Sequence, residues 1–361
     1  MIDMRPILIM AGGTGGHVFP ALAVADELRS RGIPVIWLGT KAGIESRLVP
    51  EAGYPIEWMS ITGLRGKNVL TLLLAPVRII MACWQALAVL LRRRPCAVLG
   101  MGGFASGPGG LMAWLIRKPL LVHEQNAIAG MTNKILARLA TVVLQAFPGV
   151  FKHATTTGNP VRQSICQLSP PEERFAQRRG NDKLRLLVIG GSLGAVKLNE
   201  IIPQALAKIV PSDRPEVIHQ TGMKNIDAAK ACYNDAGVEA RVEAFIDDMP
   251  AVYAWADLVI CRSGAMTVFE LAAAGVASIL VPYPYAVDDH QTSNAHYLEK
   301  TGAAVIRQQD DLTADWLVAV INDFSVNRKK LLDMAVAARK SAIPGSAKTI
   351  ADACLTAGGI A

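Results

Sequence analysis

The chain has 361 residues, of which 51% are apolar and 19% are charged. This balance excludes disordered, collagen-like and low-complexity proteins, and the length predicts two domains with separate hydrophobic cores. Lys and Arg exceed Asp and Glu by 37 to 30, a net charge of +7. The excess predicts an anionic partner (phosphate, nucleic acid or an acidic membrane surface), with a merely basic soluble protein as the alternative. The six cysteines form no CxxC pair, which favours free thiols in a reducing cytosol.

The first half of the chain alternates short apolar runs with helical patterns. Residues 7–11 (ILIMA) are wholly apolar and end at glycines, so they predict a buried strand and not a signal peptide. A helix follows, and its apolar face consists of Val18, Phe19, Leu22, Ala25 and Leu28. Further apolar runs lie at residues 35–38, 97–99, 120–122 and 142–144. Apolar runs separated by helices are typical of parallel strands that are buried on both faces.

An unusually apolar segment covers residues 69–91, where only Thr71, Pro76, Arg78 and Gln85 fall outside the apolar set. The segment is long enough to cross a bilayer, although a central arginine costs about 2.5–3.5 kcal/mol of insertion free energy. Its polar residues recur every seven positions and therefore share one stripe of a helix. Basic residues flank it on both sides. We expect a helix in the interface of an anionic membrane, with a buried core helix and a true span as alternatives.

The same plan restarts in the second half of the chain. Residues 184–189 (LRLLVI) end at a pair of glycines, and later apolar runs lie at 216–218, 258–260, 277–281 and 303–306. A Ser-Pro-Pro sequence at 169–171 opens a charged stretch that fits a linker or an exposed helix. The pattern predicts an α/β protein with two doubly wound, Rossmann-like domains that face a cleft. Ligands in such sheets bind beyond the carboxyl ends of the strands.

Three glycine-rich sequences follow predicted strands: GGTGGH at 12–17, GGFASGP at 102–108 and GGSLGA at 190–195. Glycine allows a close approach of the backbone to a ligand, and a helix N-terminus presents free N–H groups to an anion. Val18 stands where a GxGxxG dinucleotide motif would need glycine, and no GxxxxGK[ST] sequence occurs. The three turns therefore predict phosphate binding of another kind, with tight strand-to-helix turns as the structural alternative.

An ordered series of motifs resembles the MurG family of bacterial glycosyltransferases over nearly the whole chain. The series is GGTGGHVFPALA, GGFASGP, HEQNAIAGMTNK, GNPVR, GGSLGA, FIDDM, RSGAMTVFELAAAG and DDHQTSNA, which begin at residues 12, 102, 123, 158, 190, 245, 262 and 288. The resemblance implies a GT-B fold, with an acceptor- and membrane-binding domain at 1–161 and a UDP-GlcNAc-binding domain at 162–344. The last helix, about 345–361, would pack back on the first domain. The implied reaction is inverting transfer of N-acetylglucosamine from UDP-GlcNAc to the C4 hydroxyl of MurNAc in undecaprenyl-diphosphate-MurNAc-pentapeptide.

The resemblance also implies the residues that bind the donor. Glu270 would accept hydrogen bonds from the ribose hydroxyls, Gln291 would bind the sugar, and Ile246 would meet the uracil beside Met249. The other implied donor contacts are Thr14, Gly15, Asn126, Arg162, Ser192, Asn199, Ala265, Met266 and Thr267. The family pattern often has glutamine at the positions of Leu193 and His290, which changes the expected contacts there. We expect no cofactor and no obligatory metal, because this fold stabilises the leaving UDP with backbone donors.

The acceptor would bind in the first domain. The lipid diphosphate is expected at Gly12, Gly13, Gly16, Gly102, Gly103 and Ser106. An inverting transfer needs a general base, for which His17 is the candidate, Glu124 the alternative, and Asn126 an orienting neighbour. The alternative is that His17 binds phosphate or satisfies backbone hydrogen-bonding groups. The expected membrane-contact residues are Leu72, Leu73, Leu74, Arg78, Trp84 and Trp114.

The resemblance places the protein peripherally on the cytoplasmic face of the inner membrane. Its implied partners are UDP-GlcNAc, the lipid-linked acceptor, an anionic membrane surface and other cell-wall synthesis proteins, and nucleic acid is not expected. A UDP-GlcNAc 2-epimerase, a diacylglycerol glycosyltransferase and a non-catalytic UDP-sugar-binding module are the alternatives. The HEQN sequence and the apolar basic segment argue against the epimerase.

Overall fold

The computed structural model describes residues 5–61, 75–178, 182–191 and 194–360. The predicted residues Leu72, Leu73, Leu74, Ser192 and Leu193 lie outside these ranges. The chain divides into two compact units, one of Met1–Val161 with Ile343–Ala361 and one of Arg162–Ala342. Each unit contains one parallel sheet with helices packed on it. The predicted α/β class with two doubly wound sheets is therefore confirmed.

The first unit contains a seven-stranded parallel sheet. Its strands are Ile7–Met10 (β1), Val35–Gly39 (β2), Ile56–Trp58 (β3), Ala97–Gly100 (β4), Leu120–Glu124 (β5), Val142–Gln145 (β6) and Thr155–Thr156 (β7). The strand order is β3-β2-β1-β4-β5-β6-β7, and Ile7 in the central strand pairs with Val35 on one side and Ala97 on the other. Strands β1, β2, β4 and β5 are wholly buried. Burial on both faces explains why these strands appear as continuous apolar runs and not as alternating patterns.

Helices cover both faces of this sheet. They are Gly15–Ser30 (α1), Glu45–Glu51 (α2), Ala75–Arg93 (α3), Ser106–Leu115 (α4) and Met131–Leu136 (α5). One core cluster joins α1 to one face of β1, β2 and β4, and a second cluster joins α3 and α4 to the other face. The carboxyl ends of β1 and β4 lead directly into the glycine-rich turns before α1 and α4, so the sheet places both turns at one edge.

The second unit repeats the plan with a six-stranded parallel sheet. Its strands are Arg185–Ile189 (β8), Glu216–Gln220 (β9), Arg241–Glu243 (β10), Leu258–Cys261 (β11), Ala277–Leu280 (β12) and Ala304–Ile306 (β13). The order is β10-β9-β8-β11-β12-β13, which places the first strand beside the fourth, as in the first unit. Its helices are Gln163–Cys166 (α6), Pro171–Ala176 (α7), Val196–Ala207 (α8), Ile226–Asp235 (α9), Met249–Trp255 (α10), Ala265–Ala274 (α11), His290–Glu299 (α12), Ala314–Val326 (α13) and Arg328–Lys340 (α14).

The last helix, Ser346–Gly358 (α15), belongs to the first unit. It packs against α1 and β4. Its buried residues Ile350, Ala351 and Cys354 are part of the same core cluster as Ile7 and Leu99. The chain therefore leaves the first unit, builds the second and returns to complete the first core.

Helix α3 has a largely exposed apolar surface. Among the described residues it is the helix long and apolar enough to cross a membrane by length and composition, yet only 28% of its most apolar window is buried. Val77, Ile80 and Trp84 are 62%, 58% and 68% exposed. One residue of the polar stripe, Gln85, bonds within the unit, where it accepts a hydrogen bond from the Ser60 N–H at 2.7 Å. Helix α3 is therefore not a core helix that is buried on all sides.

Candidate active site

A buried carboxylate organises the first glycine-rich turn. The Glu45 side chain is fully buried, and its oxygens accept hydrogen bonds from the Gly13 N–H at 2.9 Å, the Thr40 N–H at 3.1 Å and the Thr40 hydroxyl at 2.7 Å. A Cβ atom at Gly12 would lie 2.6 Å from a Glu45 oxygen. The Gly13 N–H, which we expected to bind an anion, already donates to a carboxylate within the protein. The sequence did not single out Glu45, because its partner Gly13 lies 32 residues away.

The first and second glycine-rich turns are in direct contact. A Cβ atom at Gly103 would lie 2.3 Å from the Gly12 carbonyl oxygen, and one at Gly102 would lie 2.7 Å from His17 Nδ1. Both glycines have a positive φ, 95° at Gly102 and 80° at Gly103, which side chains rarely adopt. Glycine is therefore required at both positions by backbone conformation and by space, and the imidazole of His17 rests against the second turn.

The exposed part of this region is the N-terminal end of α1. Thr14 precedes the helix in an extended conformation and is exposed, and Gly15 and Gly16 are its first two residues. N–H groups in a first helical turn have no acceptor within the helix. Ser106 is buried instead, and its hydroxyl lies 2.9 Å from the Met10 carbonyl oxygen. Gly15 and Gly16 therefore present N–H groups at the exposed end of α1, whereas Ser106 joins the end of β1 to the second turn.

His17 and the HEQN sequence lie together in the first unit. His17 Nδ1 is 3.0 Å from Gln125 Oε1, across 108 residues of sequence. Glu124 is buried, and its carboxylate accepts hydrogen bonds from the Asn126 N–H at 2.9 Å, the Gly130 N–H at 3.0 Å and Asn133 Nδ2 at 2.9 Å. These donors occupy both carboxylate oxygens, so Glu124 is suited to holding its loop in shape. The half-buried His17 is the better placed of the two candidate bases.

A glutamine organises the third glycine-rich turn, in the second unit. Gly191 N–H donates to Gln220 Oε1, and Gln220 Nε2 donates to the Gly191 carbonyl oxygen, each at 3.0 Å. A Cβ atom at Gly194, where φ is 77°, would lie 2.2 Å from the Thr221 carbonyl oxygen. Asn199 is 4% exposed and donates to that same carbonyl at 3.2 Å. The structure thus uses Asn199, a predicted donor contact, to join α8 to the end of β9.

The RSGAMT sequence forms the start of α11. Gly264 precedes the helix in an extended conformation, Ala265 is its buried first residue, and Met266 and Thr267 are half-buried in the first turn. This end of the helix follows β11 by three residues, so it lies at the carboxyl edge of the sheet. Backbone N–H groups and a hydroxyl there can donate to a diphosphate.

Glu270 lies one turn further along α11. Its side chain is 15% exposed, its Oε2 accepts a hydrogen bond from the Tyr253 hydroxyl at 3.1 Å, and its Oε1 is 3.5 Å from Arg162 Nη2. Burial raises the pKa of Glu270 above its usual value, although Arg162 and the Tyr253 hydroxyl act in the opposite direction. The structure therefore brings together two predicted donor residues, Arg162 and Glu270.

The remaining predicted donor residues lie on separate elements. Ile246 is 5% exposed and Met249 is the first residue of α10. Gln291 Oε1 accepts from the Tyr283 N–H at 3.0 Å, and His290 Nδ1 donates to a carbonyl three residues earlier at 2.8 Å. Across the described ranges, no group of three His, Cys, Asp or Glu side chains has an arrangement that could hold a metal ion.

Family models and relatives match nearly the whole chain. The model of the glycosyltransferase family 28 N-terminal domain matches residues 7–145, and that of the glycosyltransferase family 28 C-terminal domain matches residues 185–350. A Marinobacter nauticus protein is 54% identical over 356 residues, which cover 98% of each chain. A Nitrosococcus oceani protein is 54% identical over 352 residues, covering 97% of this chain and 98% of the relative. Both are named UDP-N-acetylglucosamine–N-acetylmuramyl-(pentapeptide) pyrophosphoryl-undecaprenol N-acetylglucosamine transferase.

Solved structures agree with this similarity. The crystal structure of Acinetobacter baumannii MurG matches with a TM-score of 0.86 and 41% identity, covering 98% of this chain and 99% of that one. The calicheamicin glycosyltransferase CalG4 matches with a TM-score of 0.70 at 16% identity, over 99% of both chains. The second likeness concerns the fold alone.

Proposed function

The chain belongs to glycosyltransferase family 28, and on this premise we propose that it transfers N-acetylglucosamine from UDP-N-acetylglucosamine to undecaprenyl-diphosphate-linked N-acetylmuramyl-pentapeptide. The observation that carries the proposal is 54% identity, over almost the full length, to relatives whose names describe this transfer. The acceptor atom is the C4 hydroxyl of the muramyl sugar, and the product is the lipid-linked disaccharide of peptidoglycan synthesis.

The chemistry is a single displacement with inversion at the anomeric carbon. The acceptor hydroxyl attacks that carbon while its proton passes to Nε2 of His17, and the electron pair of the broken C–O bond leaves with UDP. His17 is supported as the base because its Nδ1 is bonded to Gln125, which leaves the other ring nitrogen for the acceptor.

The second unit would bind the donor. The first turn of α11 donates to the diphosphate through backbone N–H groups and the Thr267 hydroxyl, and Glu270 accepts hydrogen bonds from the ribose hydroxyls. Helix-terminal N–H groups stabilise the charge that develops on the leaving UDP. We therefore propose that no cofactor and no divalent metal is obligatory.

Transfer of radiolabelled N-acetylglucosamine to a short-chain lipid diphosphate–N-acetylmuramyl-pentapeptide tests the function. We expect label in the lipid fraction and an equal amount of released UDP, with EDTA present. His17→Ala should abolish turnover and leave UDP binding intact. His153→Ala, a change at an exposed histidine of the same unit, is the control. Conversion of the sugar in the absence of acceptor would indicate an epimerase. UDP binding without turnover, even with Mg²⁺ and vesicles added, would indicate a binding module.

We further propose that the first unit binds the cytoplasmic face of the inner membrane through α3. Helix α3 packs against α4, and exposed Ile80, Trp84 and Trp114 supply an apolar surface on these helices, with Arg78 half-buried. Arg92 and Arg93 at the end of α3 can meet anionic headgroups, although each pairs with Glu57. The membrane surface and other cell-wall proteins are proposed partners.

Flotation with anionic vesicles tests this surface. The double substitution Ile80→Glu and Trp84→Glu should abolish flotation, since it places two charges on the apolar face, and it should leave transfer to a soluble short-chain acceptor unchanged. Val326→Glu, a change at an exposed apolar residue of the second unit (82% exposed), should leave flotation intact. Unaltered flotation of the double variant would contradict the proposal.

A further inference from the structure

A continuous series of hydrogen bonds joins a backbone carbonyl to the proposed base. The Gly158 carbonyl oxygen is 3.1 Å from His123 Nε2, His123 Nδ1 is 3.1 Å from Gln125 Nε2, and Gln125 Oε1 is 3.0 Å from His17 Nδ1. His123 and Gln125 are fully buried, with exposures of 0% and 1%. All four residues belong to the first unit.

The direction of every bond in this series follows from its buried end. His123 Nε2 also lies 3.2 Å from the Thr157 hydroxyl, whose own hydrogen can go to the Gly158 carbonyl oxygen at 3.0 Å. A carbonyl oxygen only accepts, so His123 Nε2 carries a hydrogen. Burial lowers the pKa of His123 to about 4, so its imidazole is neutral at pH 7. In a neutral imidazole the second nitrogen is an acceptor, and His123 Nδ1 must therefore receive a hydrogen from Gln125.

The amide of Gln125 can take only one orientation. Its Nε2 donates to His123 Nδ1 and also to the His123 carbonyl oxygen, each at 3.1 Å. A flipped amide would place its oxygen against that carbonyl and its NH2 group against His17. With the amide fixed, Gln125 Oε1 faces His17 and requires a hydrogen on His17 Nδ1.

We propose that Gln125, oriented by His123, is a positioning residue that holds His17 in the neutral tautomer protonated at Nδ1. The other nitrogen, Nε2, then keeps its lone pair for the proton of the acceptor hydroxyl. Within the part of the chain that the structure describes, Nε2 has no protein hydrogen-bond partner. Gly102 also lies against the ring, because a Cβ atom there would lie 2.8 Å from His17 Cε1.

Gln125, the residue that orients His17, is uncharged and in this respect differs from a carboxylate partner. A carboxylate would select the tautomer and also favour the imidazolium. An amide oxygen selects the tautomer without adding charge next to the proposed diphosphate site. The role in catalysis rests on the proposed function, whereas the tautomer itself is a property of the free protein.

Nitrogen-15 NMR of histidine-labelled protein measures the tautomer directly. The chain has 6 histidines, and the His17 signals are assigned by their loss in His17→Gln. We expect His17 of the unliganded wild type to be protonated at Nδ1 when neutral. In Gln125→Met, which keeps the side-chain length but neither donates nor accepts at that position, we expect a mixture of both tautomers. His123→Phe should produce the same mixture.

The kinetic test compares the effect of the substitution on kcat with its effect on KM. General base catalysis contributes about 10²–10⁴-fold, so we expect kcat of Gln125→Met to fall about 10- to 100-fold as part of that contribution is lost. We assign the binding of UDP-N-acetylglucosamine to the second unit, so a substitution in the first unit should change its KM by less than about 2-fold. A purely structural defect would appear as lost stability without a change of tautomer.

Gln145→Met is the matched control. Gln145 is also a buried glutamine of the first unit, 3% exposed, and it is bonded to Phe151 and Thr156. Its substitution should lower the melting temperature and leave the His17 tautomer and the kcat of the folded fraction unchanged. A wild-type His17 protonated at Nε2, or Gln125→Met with an unchanged tautomer or an unchanged kcat, would overturn the inference. If the wild type transfers no sugar, the proposed function fails, and the spectra still decide the tautomer.

Discussion

Replacing Glu270 by glutamine should separate stability from ligand binding. In the free protein Glu270 is a largely buried carboxylate with one hydrogen bond from Tyr253 and a long contact to Arg162. Glutamine has nearly the same shape and removes the charge. We expect Glu270→Gln to melt at a higher temperature than the wild type without ligand and to bind UDP more weakly.

The loss of binding can be bounded from the contacts. Glutamine keeps one acceptor oxygen, which can serve Tyr253, so the ribose loses one charged acceptor. A hydrogen bond to a charged group contributes about 1.5–3 kcal/mol, which corresponds to a Kd for UDP about 10- to 150-fold higher. The Arg162 contact, at 3.5 Å with Arg162 51% exposed, contributes only about 0–1 kcal/mol.

The stability effect has a defined pH dependence. Burial raises the folded-state pKa of Glu270, while the unfolded-state value is about 4.3. The folded state therefore holds its proton more tightly, and stability falls as pH rises from the unfolded towards the folded pKa. Glu270→Gln has no titratable group at this position, so its free energy of unfolding does not fall in this way. The difference in melting temperature should be smallest below about pH 4.3 and reach a plateau above the raised pKa.

Thermal unfolding with and without UDP is the assay. UDP at 100 times the wild-type Kd stabilises the wild type by about 2.7 kcal/mol, and a variant with a 100-fold higher Kd by only about 0.4 kcal/mol. The order of melting temperatures should therefore reverse on addition of UDP. Glu239→Gln, at an exposed carboxylate of the same unit, controls for net charge. UDP binding within twofold of wild type, or a free variant that melts below the wild type, would refute the reasoning.

Three further changes test other contacts. Gly103→Ala should lower the free energy of unfolding by about 1–3 kcal/mol, because its Cβ would meet the Gly12 carbonyl oxygen at 2.3 Å. Calorimetry measures this loss, and Gly130→Ala, which has open space around it, should show none. Glu45→Gln should cost about 1–3 kcal/mol in urea unfolding, since an NH2 group would face the donors of Gly13 or Thr40, whereas exposed Glu51→Gln should not. Removal of divalent metals with EDTA should leave the initial transfer rate unchanged; a rate restored only by Mg²⁺ would contradict the proposed leaving-group stabilisation.

Most of the fold could be predicted from the sequence because its central strands are buried on both faces. The run at 35–38 corresponds to Val35–Gly39, and the run at 258–260 to Leu258–Cys261. The strands Ile56–Trp58, Thr155–Thr156 and Arg241–Glu243 were not predicted. All three lie at sheet edges, are two or three residues long and contain no buried residue, so they lack a continuous apolar run.

The polar framework of the site could not be predicted in this way. Glu45, Gln125 and Gln220 each hold a glycine-rich turn or a proposed catalytic residue through partners 29 to 108 residues away. Such contacts exist only after the sheets place distant segments side by side, and they leave no periodic signal. Gln125 lies within the HEQN motif, two positions after His123. Its place in that motif is the signal by which the sequence could have indicated it.

Because α15 belongs to the first unit, the two units complete their cores in a defined order during synthesis. Synthesis from the N-terminus makes residues 1–161 before the second unit, but Ile350, Ala351 and Cys354 of the same core are made only after it. The second unit, Arg162–Ala342, is complete in one continuous stretch before then. The first unit therefore completes its core only after the second unit has been made, and until then the residues of α1 and β4 that pack against α15 lack their cover, and exposed apolar surface of this kind promotes aggregation.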